Sequence, residues 1–79
     1  MPDHIRVSLF QNGEYLGDYS MPSLVAADEL AGDIKELLNL ESEKFEMRNE
    51  SNDQILGQTT LRELSMGDFS KIFINTGAN

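Results

Sequence analysis

Strand-like segments, a hairpin signal and one helical segment follow one another within 79 residues, and their order restricts the fold more than any other feature. Ile5, Val7 and Leu9 alternate with polar residues, which is typical of a strand with one buried face. Asn12-Gly13 then predicts a tight hairpin turn, because both residues adopt positive φ at low cost. A second strand is therefore expected over residues 14–21.

The second predicted strand carries a glycine in its interior. Tyr15, Tyr19 and Met21 are expected to share its core-facing side. Gly17 indicates a β-bulge or the close approach of another backbone. Pro22 is expected to end the strand, because proline has no N–H group for the ladder.

An amphipathic helix is predicted from about residue 26 to about residue 39. Its apolar residues have the i, i+4, i+7, i+8 spacing of a core-facing stripe. Gly32 weakens such a helix by about 1 kcal/mol relative to alanine, and close packing on the sheet would be one reason for it. The predicted stripe consists of Leu30, Ile34, Leu37 and Leu38.

Two further strands are predicted after the helix, over residues 43–48 and 70–75. Residues 57–64 form a compact crossover between them. Together the elements give a ββαββ order, which predicts an α+β fold with a mixed sheet packed on one helix. The inward-facing residues of the last two strands are predicted to be Phe45, Met47, Ile72 and Ile74.

The charge balance excludes some classes of partner. The net charge is −8 and the chain has no cysteine, so we expect neither nucleic-acid binding nor disulfide or thiolate chemistry. No apolar run approaches the roughly 18 residues that span a bilayer, and the first residues lack the features of a signal peptide. We therefore expect a cytoplasmic protein without direct membrane insertion. The acidic surface serves solubility or, alternatively, steers the domain to a basic partner.

No catalytic constellation accompanies the predicted fold. His4 is the sole histidine, so a metal site would need carboxylates alone, and the serines lack a triad base. A domain of this size around one helix leaves little room for a cavity that would shift the pKa of a carboxyl. We expect no enzymatic activity, cofactor or metal. Two groups of neighbouring carboxylates are therefore expected to be solvated faces: Glu41, Glu43 and Glu46, and Asp28, Glu29 and Asp33.

Apolar residues that break the core pattern are the candidates for binding a partner. Phe73 lies between two inward-facing isoleucines, so strand alternation places its ring on the outer face of the sheet, with Arg6 and Ser8 as expected neighbours. Alternatively, the chain's end or Phe69 covers that ring.

A second candidate patch lies at the hairpin. Phe10 and Leu16 lie at the tip of the hairpin, and strand alternation does not place them on the core-facing side. They form either a contact surface or a local hydrophobic cluster that supports the turn.

The order of these segments resembles the ubiquitin fold over nearly the whole chain. The likeness rests on the hairpin, on 44–47 (KFEM), on 60–64 (TLREL) and on 71–74 (KIFI). It implies one ubiquitin-like domain over 1–79, ordered over about 4–75, with a short polar tail at 76–79. Glu46 is expected to lie where ubiquitin has the apolar centre of its recognition patch, so proteins that recognise that patch should not bind this chain.

Among ubiquitin-like proteins, the chain most resembles the YukD/EsaB-like family, which is associated with type VII secretion. The likeness lies in 17–22 (GDYSMP), 28–30 (DEL), 37–40 (LLNL), Leu61 and 66–68 (MGD). It implies a small adaptor whose protein partners include components of the secretion machinery.

Two alternatives stay open. One is a protein modifier matured at Gly77: the chain ends Gly77-Ala78-Asn79 instead of the Gly-Gly of conjugating ubiquitins, but some modifiers mature by trimming to a single glycine. The other is a ubiquitin-like small subunit of a multicomponent monooxygenase.

Overall fold

The computed structural model describes residues 3–40 and 45–76. Four strands and one helix follow the predicted order: β1 (His4–Gln11), β2 (Glu14–Pro22), α1 (Ala27–Leu37), β3 (Phe45–Arg48) and β4 (Ser70–Thr76). The strand order in the sheet is β2-β1-β4-β3. β1 pairs in parallel with β4, while the other two pairings are antiparallel. The prediction of a mixed sheet with a ββαββ order is confirmed.

The hairpin between β1 and β2 contains a β-bulge. Asn12 (φ 49°) and Gly13 (φ 87°) form the predicted turn with positive φ. Leu9 pairs with Gly17 and Phe10 pairs with Tyr15, so Leu16 is an extra residue on β2. Gly17, at φ +130°, supplies the unusual backbone conformation, and the bulge suggested by this glycine is present.

The bulge changes which residues of β2 face the core. Tyr15 lies outside the core, 54% exposed, instead of sharing a face with Tyr19 and Met21 as predicted. Leu16 packs against the core instead of joining Phe10 in a surface patch. The prediction for the side of Tyr15 was wrong, and Leu16 does not contribute to the contact-surface alternative, because an extra residue shifts the alternation of a strand by one position.

The core lies between one face of the sheet and α1. The sheet contributes alternating residues of β1, β3 and β4, as predicted, and Pro22 is the last residue of β2. Ile55 and Leu61, from the segment between β3 and β4, are also buried in this core. The buried core residues are Ile5, Val7, Leu9, Met21, Ala27, Leu30, Ile34, Met47, Ile55, Leu61, Ile72 and Ile74.

Helix α1 departs from its prediction at two positions. Leu37 is 53% exposed, because it lies at the edge of the apolar stripe in the last residue of the helix. Gly32 is exposed as well, and a Cβ atom added there would meet no atom within 4 Å, so packing on the sheet does not explain this glycine.

Some ends of the elements also differ from prediction. β4 reaches Thr76, one residue beyond its predicted end, where the Thr76 N–H donates to Oδ1 of Asn12 (3.2 Å). Residues 41–44 and 77–79 lie outside the described residues. The predicted start of the third strand, the carboxylates Glu41 and Glu43, and the modifier terminus at Gly77 fall there.

Candidate protein-binding surface

The face of the sheet that points away from α1 carries a row of three aromatic side chains, here called the aromatic row: Tyr15 on β2, Phe10 on β1 and Phe73 on β4. The strand registers pair Phe10 with both of the others. Arg48 on β3 pairs with Phe73 and continues the row onto the fourth strand. The aromatic row therefore crosses three adjacent strands, and a cation follows it on the fourth.

The rings of the aromatic row contact one another. The Phe10 ring centroid lies 5.3 Å from that of Tyr15 and 5.3 Å from that of Phe73, in tilted arrangements. Such distances are typical of favourable aromatic pairs. Nζ of Lys71 lies 5.9 Å from the centroid of the Phe10 ring, within cation–π range. Phe10 and Phe73 are half-buried and Tyr15 is exposed. Because Phe10 contacts both other rings, the three rings form one continuous patch that is partly open to solvent.

A polar group of side chains adjoins the aromatic row along the same face. Oγ of Ser8 donates a hydrogen bond to Oδ1 of Asp18 (2.6 Å), and the Tyr15 hydroxyl donates to the same oxygen (2.9 Å). These bonds stabilise the ionised carboxylate, and the pKa of Asp18 lies below its usual value mainly because of Ser8 and then Tyr15. The bond to Asp18 raises the pKa of Tyr15, because ionised Tyr15 would lose it.

We expect Ser8→Ala to raise the pKa of Asp18 towards its usual value, because Ser8 makes the largest contribution to lowering it. Asp18 stabilises the fold above its unfolded-state pKa and loses this contribution as the pH falls through its lower folded-state pKa. A pH titration of the Asp18 carboxyl ¹³C shift measures the change.

Ser20→Ala is the matched control, since Ser20 is a serine of the same sheet face but pairs with Arg6, whereas Ser8 pairs with Asp18. The control should leave the Asp18 titration unchanged. Identical Asp18 titrations in the wild type and Ser8→Ala would contradict the assigned hydrogen bond.

The outer face differs in charge from the chain as a whole. Three of the six lysines and arginines, Arg6, Arg48 and Lys71, project from its strands. Among the described strand residues of this face, the carboxylates are Asp18 and Glu46, out of fourteen acidic residues in the chain. Arg48 and Glu46 form an ion pair through Nε. The face is therefore close to neutral in a domain of net charge −8.

The structure brings some of the predicted contact residues together. Phe73 lies on the outer face, as alternation predicted, and its neighbour on β1 is Phe10. Phe69 is 64% exposed in the turn before β4, where it pairs with none of these rings. The two predicted patches thus share one surface through Phe10 and Phe73.

Other predicted contact residues lie elsewhere. Leu16 belongs to the core side of β2. The parallel register places Ser8 beside Lys71 and begins with Val7 beside Ser70, so Arg6 lies beyond the start of the β1–β4 pairing and away from Phe73. Glu46 points outward, as predicted, although Arg48 takes the place beside Phe73.

Sequence reasoning missed Tyr15, Lys71 and Arg48 as members of this surface. The signal for Tyr15 was present in Gly17, because a bulge there exchanges the faces of the residues before it. Alternation places Lys71 on the same side of β4 as Phe73, and Arg48 on the side of β3 opposite to Met47. No local motif indicates the strand registers that bring these residues close to the aromatic row.

The depressions of the described surface include two shallow ones. One, of about 170 Å³, is lined mainly by polar residues of the segments around 49–51 and 64–66. The other, of about 320 Å³, lies at the start of β1 beside His4, Arg6 and Phe69. Over residues 3–40 and 45–76, no three His, Asp or Glu side chains are grouped as metal ligands. Within the same ranges, no helix has the length and apolarity needed to cross a membrane.

Solved structures of low sequence identity share this fold. The ubiquitin-like domain of the Arabidopsis thaliana protein At2g32350 is 13% identical, with a TM-score of 0.80, covering 99% of this chain and 82% of that one. The ubiquitin of Caldiarchaeum subterraneum is 13% identical, with a TM-score of 0.77 and 96% coverage of both chains. The UBL domain of yeast Ddi1 is 13% identical, with a TM-score of 0.77, covering 100% of this chain and 95% of that one.

These similarities establish the class of the fold. The chain has a ubiquitin-like β-grasp fold, as its sequence predicted. No protein-family model matches the sequence. No curated protein matches it either.

Proposed function

We propose that this protein is a non-enzymatic, non-conjugating adaptor that binds a protein partner through the outer face of its sheet. The aromatic row of Tyr15, Phe10 and Phe73 is the observation that carries the proposal. Aromatic residues are enriched at the energetically important centres of protein interfaces, because they bury large areas with few rotatable bonds. The row lies on the face of the four-stranded sheet that α1 leaves uncovered, at the hairpin end of β1 and β2.

The chemistry of the partner follows from the charges around the row. Lys71 lies over the Phe10 ring and Arg48 continues the row beside Phe73. A partner that presents an aliphatic or aromatic side chain with a carboxylate near Lys71 complements this arrangement, since Glu46 already pairs with Arg48. The rest of the acidic domain then faces away from that partner, which reduces the repulsion between them.

We expect Phe73→Ala to abolish or strongly reduce capture of the partner in affinity purification from the native cell, because the substitution removes the ring that β4 contributes to the aromatic row. Truncation of such an anchor commonly costs about 2 kcal/mol or more of binding free energy, which is roughly a thirtyfold loss of affinity. The partner identified with the wild type is then purified, and its direct binding to both variants is measured.

Leu37→Ala is the matched control for that experiment. Leu37 is also apolar, with 53% of its surface exposed, but it lies on α1 at the opposite side of the domain. Binding through the outer face would be contradicted if both variants lost the partner equally, or if neither variant lost it. Thermal unfolding of both variants checks that each is folded.

A more specific role follows from the resemblance to YukD/EsaB-like proteins. We propose that the adaptor is an accessory component of a bacterial type VII secretion system that acts in the cytoplasm. Support comes from the likeness of 17–22, 28–30 and 37–40 to that family and from the ubiquitin-like fold. Recovery of secretion-machinery proteins with the wild type, but not with Phe73→Ala, would support this role.

The same purification separates the adaptor from its alternatives. A protein modifier would give covalent products of high mass and a mature chain shortened to Gly77. A small monooxygenase subunit would co-purify with an iron-containing hydroxylase. Either result would replace the secretion role.

A further inference from the structure

The turn between β1 and β2 consists of an asparagine followed by a glycine, and this pair is chemically labile. Asn12 and Gly13 are both exposed, and a Cβ atom added to Gly13 would meet nothing within 4 Å. Asparagine is one of the thermolabile residue types. Because glycine has no side chain, nothing on Gly13 hinders its nitrogen from approaching Cγ of Asn12.

The reaction open to this pair is deamidation, which needs only the two residues and water. The Gly13 nitrogen attacks Cγ of Asn12, so that a new C–N bond closes a succinimide ring while the bond from Cγ to Nδ2 breaks. Nδ2 leaves as ammonia, which takes up the proton that the Gly13 nitrogen loses. Water then opens the ring. Hydrolysis at Cγ gives aspartate, and hydrolysis at the backbone carbonyl gives isoaspartate, in which the main chain runs through Cγ.

Thr76, at the end of β4, holds the reacting amide. Nδ2 of Asn12 donates to Oγ1 of Thr76 (3.1 Å), and Oδ1 of Asn12 accepts from the Thr76 N–H (3.2 Å). The Asn12 side chain must turn before Cγ can meet the Gly13 nitrogen. That movement breaks hydrogen bonds to Thr76, so these bonds should slow the reaction.

Two other asparagines share the backbone conformation and the exposure of Asn12 but are not followed by glycine. Asn39 (φ 54°) and Asn52 (φ 65°) are exposed and left-handed, as Asn12 is (φ 49°). Leu40 and Asp53 follow them, and both have a side chain beside the nitrogen that would attack. The chain therefore contains its own matched controls for the effect of the following residue.

Isoaspartate at position 12 would change the aromatic row. It adds one carbon to the main chain of a two-residue turn, whose geometry matches the twist of the strands that it joins. The turn sets the register that pairs Phe10 with Tyr15, and their ring centroids lie 5.3 Å apart. A longer turn alters that contact. Aspartate leaves the main chain unchanged, and its carboxylate can still accept from the Thr76 N–H.

We propose that Asn12-Gly13 is a site of spontaneous deamidation, that Thr76 slows the reaction by holding the Asn12 amide, and that the isoaspartate product disrupts the hairpin end of the aromatic row. The end of β4 thereby controls the chemical lifetime of the turn. This inference goes beyond the proposed function and needs no partner.

The test incubates the whole protein in mildly alkaline buffer and follows each asparagine by peptide mapping with mass spectrometry. Asn12 should be converted while Asn39 and Asn52 stay intact. Thr76→Val removes Oγ1 at nearly constant volume and should speed the conversion about fivefold, which corresponds to about 1 kcal/mol for one hydrogen bond. Thr59→Val is the matched control and should leave the rate unchanged, because the Thr59 backbone contacts the start of α1 instead of the hairpin.

NMR of the Phe10 and Tyr15 rings tests the consequence. Their chemical shifts should change in the purified isoaspartate form and should change little in Asn12→Asp, which has the other product at that position. Thermal unfolding checks that each variant is folded.

Each part of the proposal has its own contradicting result. Conversion of Asn39 or Asn52 as early as Asn12 would overturn the site. A rate in Thr76→Val no higher than in the wild type would overturn the role of Thr76. Unchanged ring shifts in the isoaspartate form would overturn its effect on the aromatic row. None of these results bears on the adaptor role, since no partner takes part in the measurements.

Discussion

Leu30→Ala is expected to lower the free energy of unfolding by about 2–5 kcal/mol. Leu30 is fully buried between α1 and the sheet, so its truncation removes apolar contacts and leaves a cavity. A small domain has only about 5–15 kcal/mol of stability, and the melting temperature should fall by roughly 10 °C or more. Chemical denaturation followed by circular dichroism measures the change.

Leu37→Ala is the matched control for Leu30→Ala, because both replace a leucine of α1 by the same residue. Leu37 is half exposed, so its truncation should change the free energy of unfolding by less than about 1 kcal/mol. Equal losses of stability in the two variants would contradict the placement of α1 on the sheet.

Gly17→Ala is expected to lower the free energy of unfolding by about 1–3 kcal/mol, although Gly17 is not part of the core. Its φ of +130° is accessible to glycine and strongly disfavoured for alanine. An added Cβ would lie 3.6 Å from the Tyr19 ring, an ordinary contact, so the cost comes from the backbone. Denaturant unfolding measures the loss.

Gly32→Ala is expected to change the free energy of unfolding in the opposite direction. Gly32 lies within α1, and an added Cβ meets nothing within 4 Å, so alanine should stabilise the domain by about 1 kcal/mol through its higher helix propensity. A domain stabilised by Gly17→Ala, or destabilised by Gly32→Ala, would contradict the backbone conformations assigned to these glycines.

Alternation and helical spacing predicted most of the core. Ile5, Val7 and Leu9 face α1 because side chains alternate along a strand, and Ile72 and Ile74 obey the same rule on β4. The position of Phe73 outside the core follows from that alternation as well. These predictions succeed because each uses a period within one strand and needs no knowledge of which strands are neighbours.

The predictions about which residues face the core fail where the periodicity of a strand or helix is interrupted. The bulge at Leu16 exchanges the faces of Tyr15 and Leu16, and Gly17 indicated a bulge without fixing which residue would be extra. Leu37 has the correct spacing for the core, but the helix ends there and the residue lies at the edge of the stripe. Hydrophobic spacing by itself does not determine either outcome.

The binding surface was less predictable than the core because it depends on pairing between distant segments. The β1–β4 register brings Phe10 beside Phe73 and separates Arg6 from it, although sequence alternation allowed both. The exposed ring of Phe69 is likewise a result of its turn, whose left-handed backbone has no distinct sequence signal at a phenylalanine.

Site-specific photo-crosslinking in the native cell tests binding through the outer face most directly. A photoreactive phenylalanine analogue replaces Phe73 in one variant and Leu37 in the other, since both positions are apolar and lie on opposite sides of the domain. The account predicts one discrete crosslinked partner from position 73 and none from position 37. Crosslinks to that partner from position 37, with none from position 73, would contradict it.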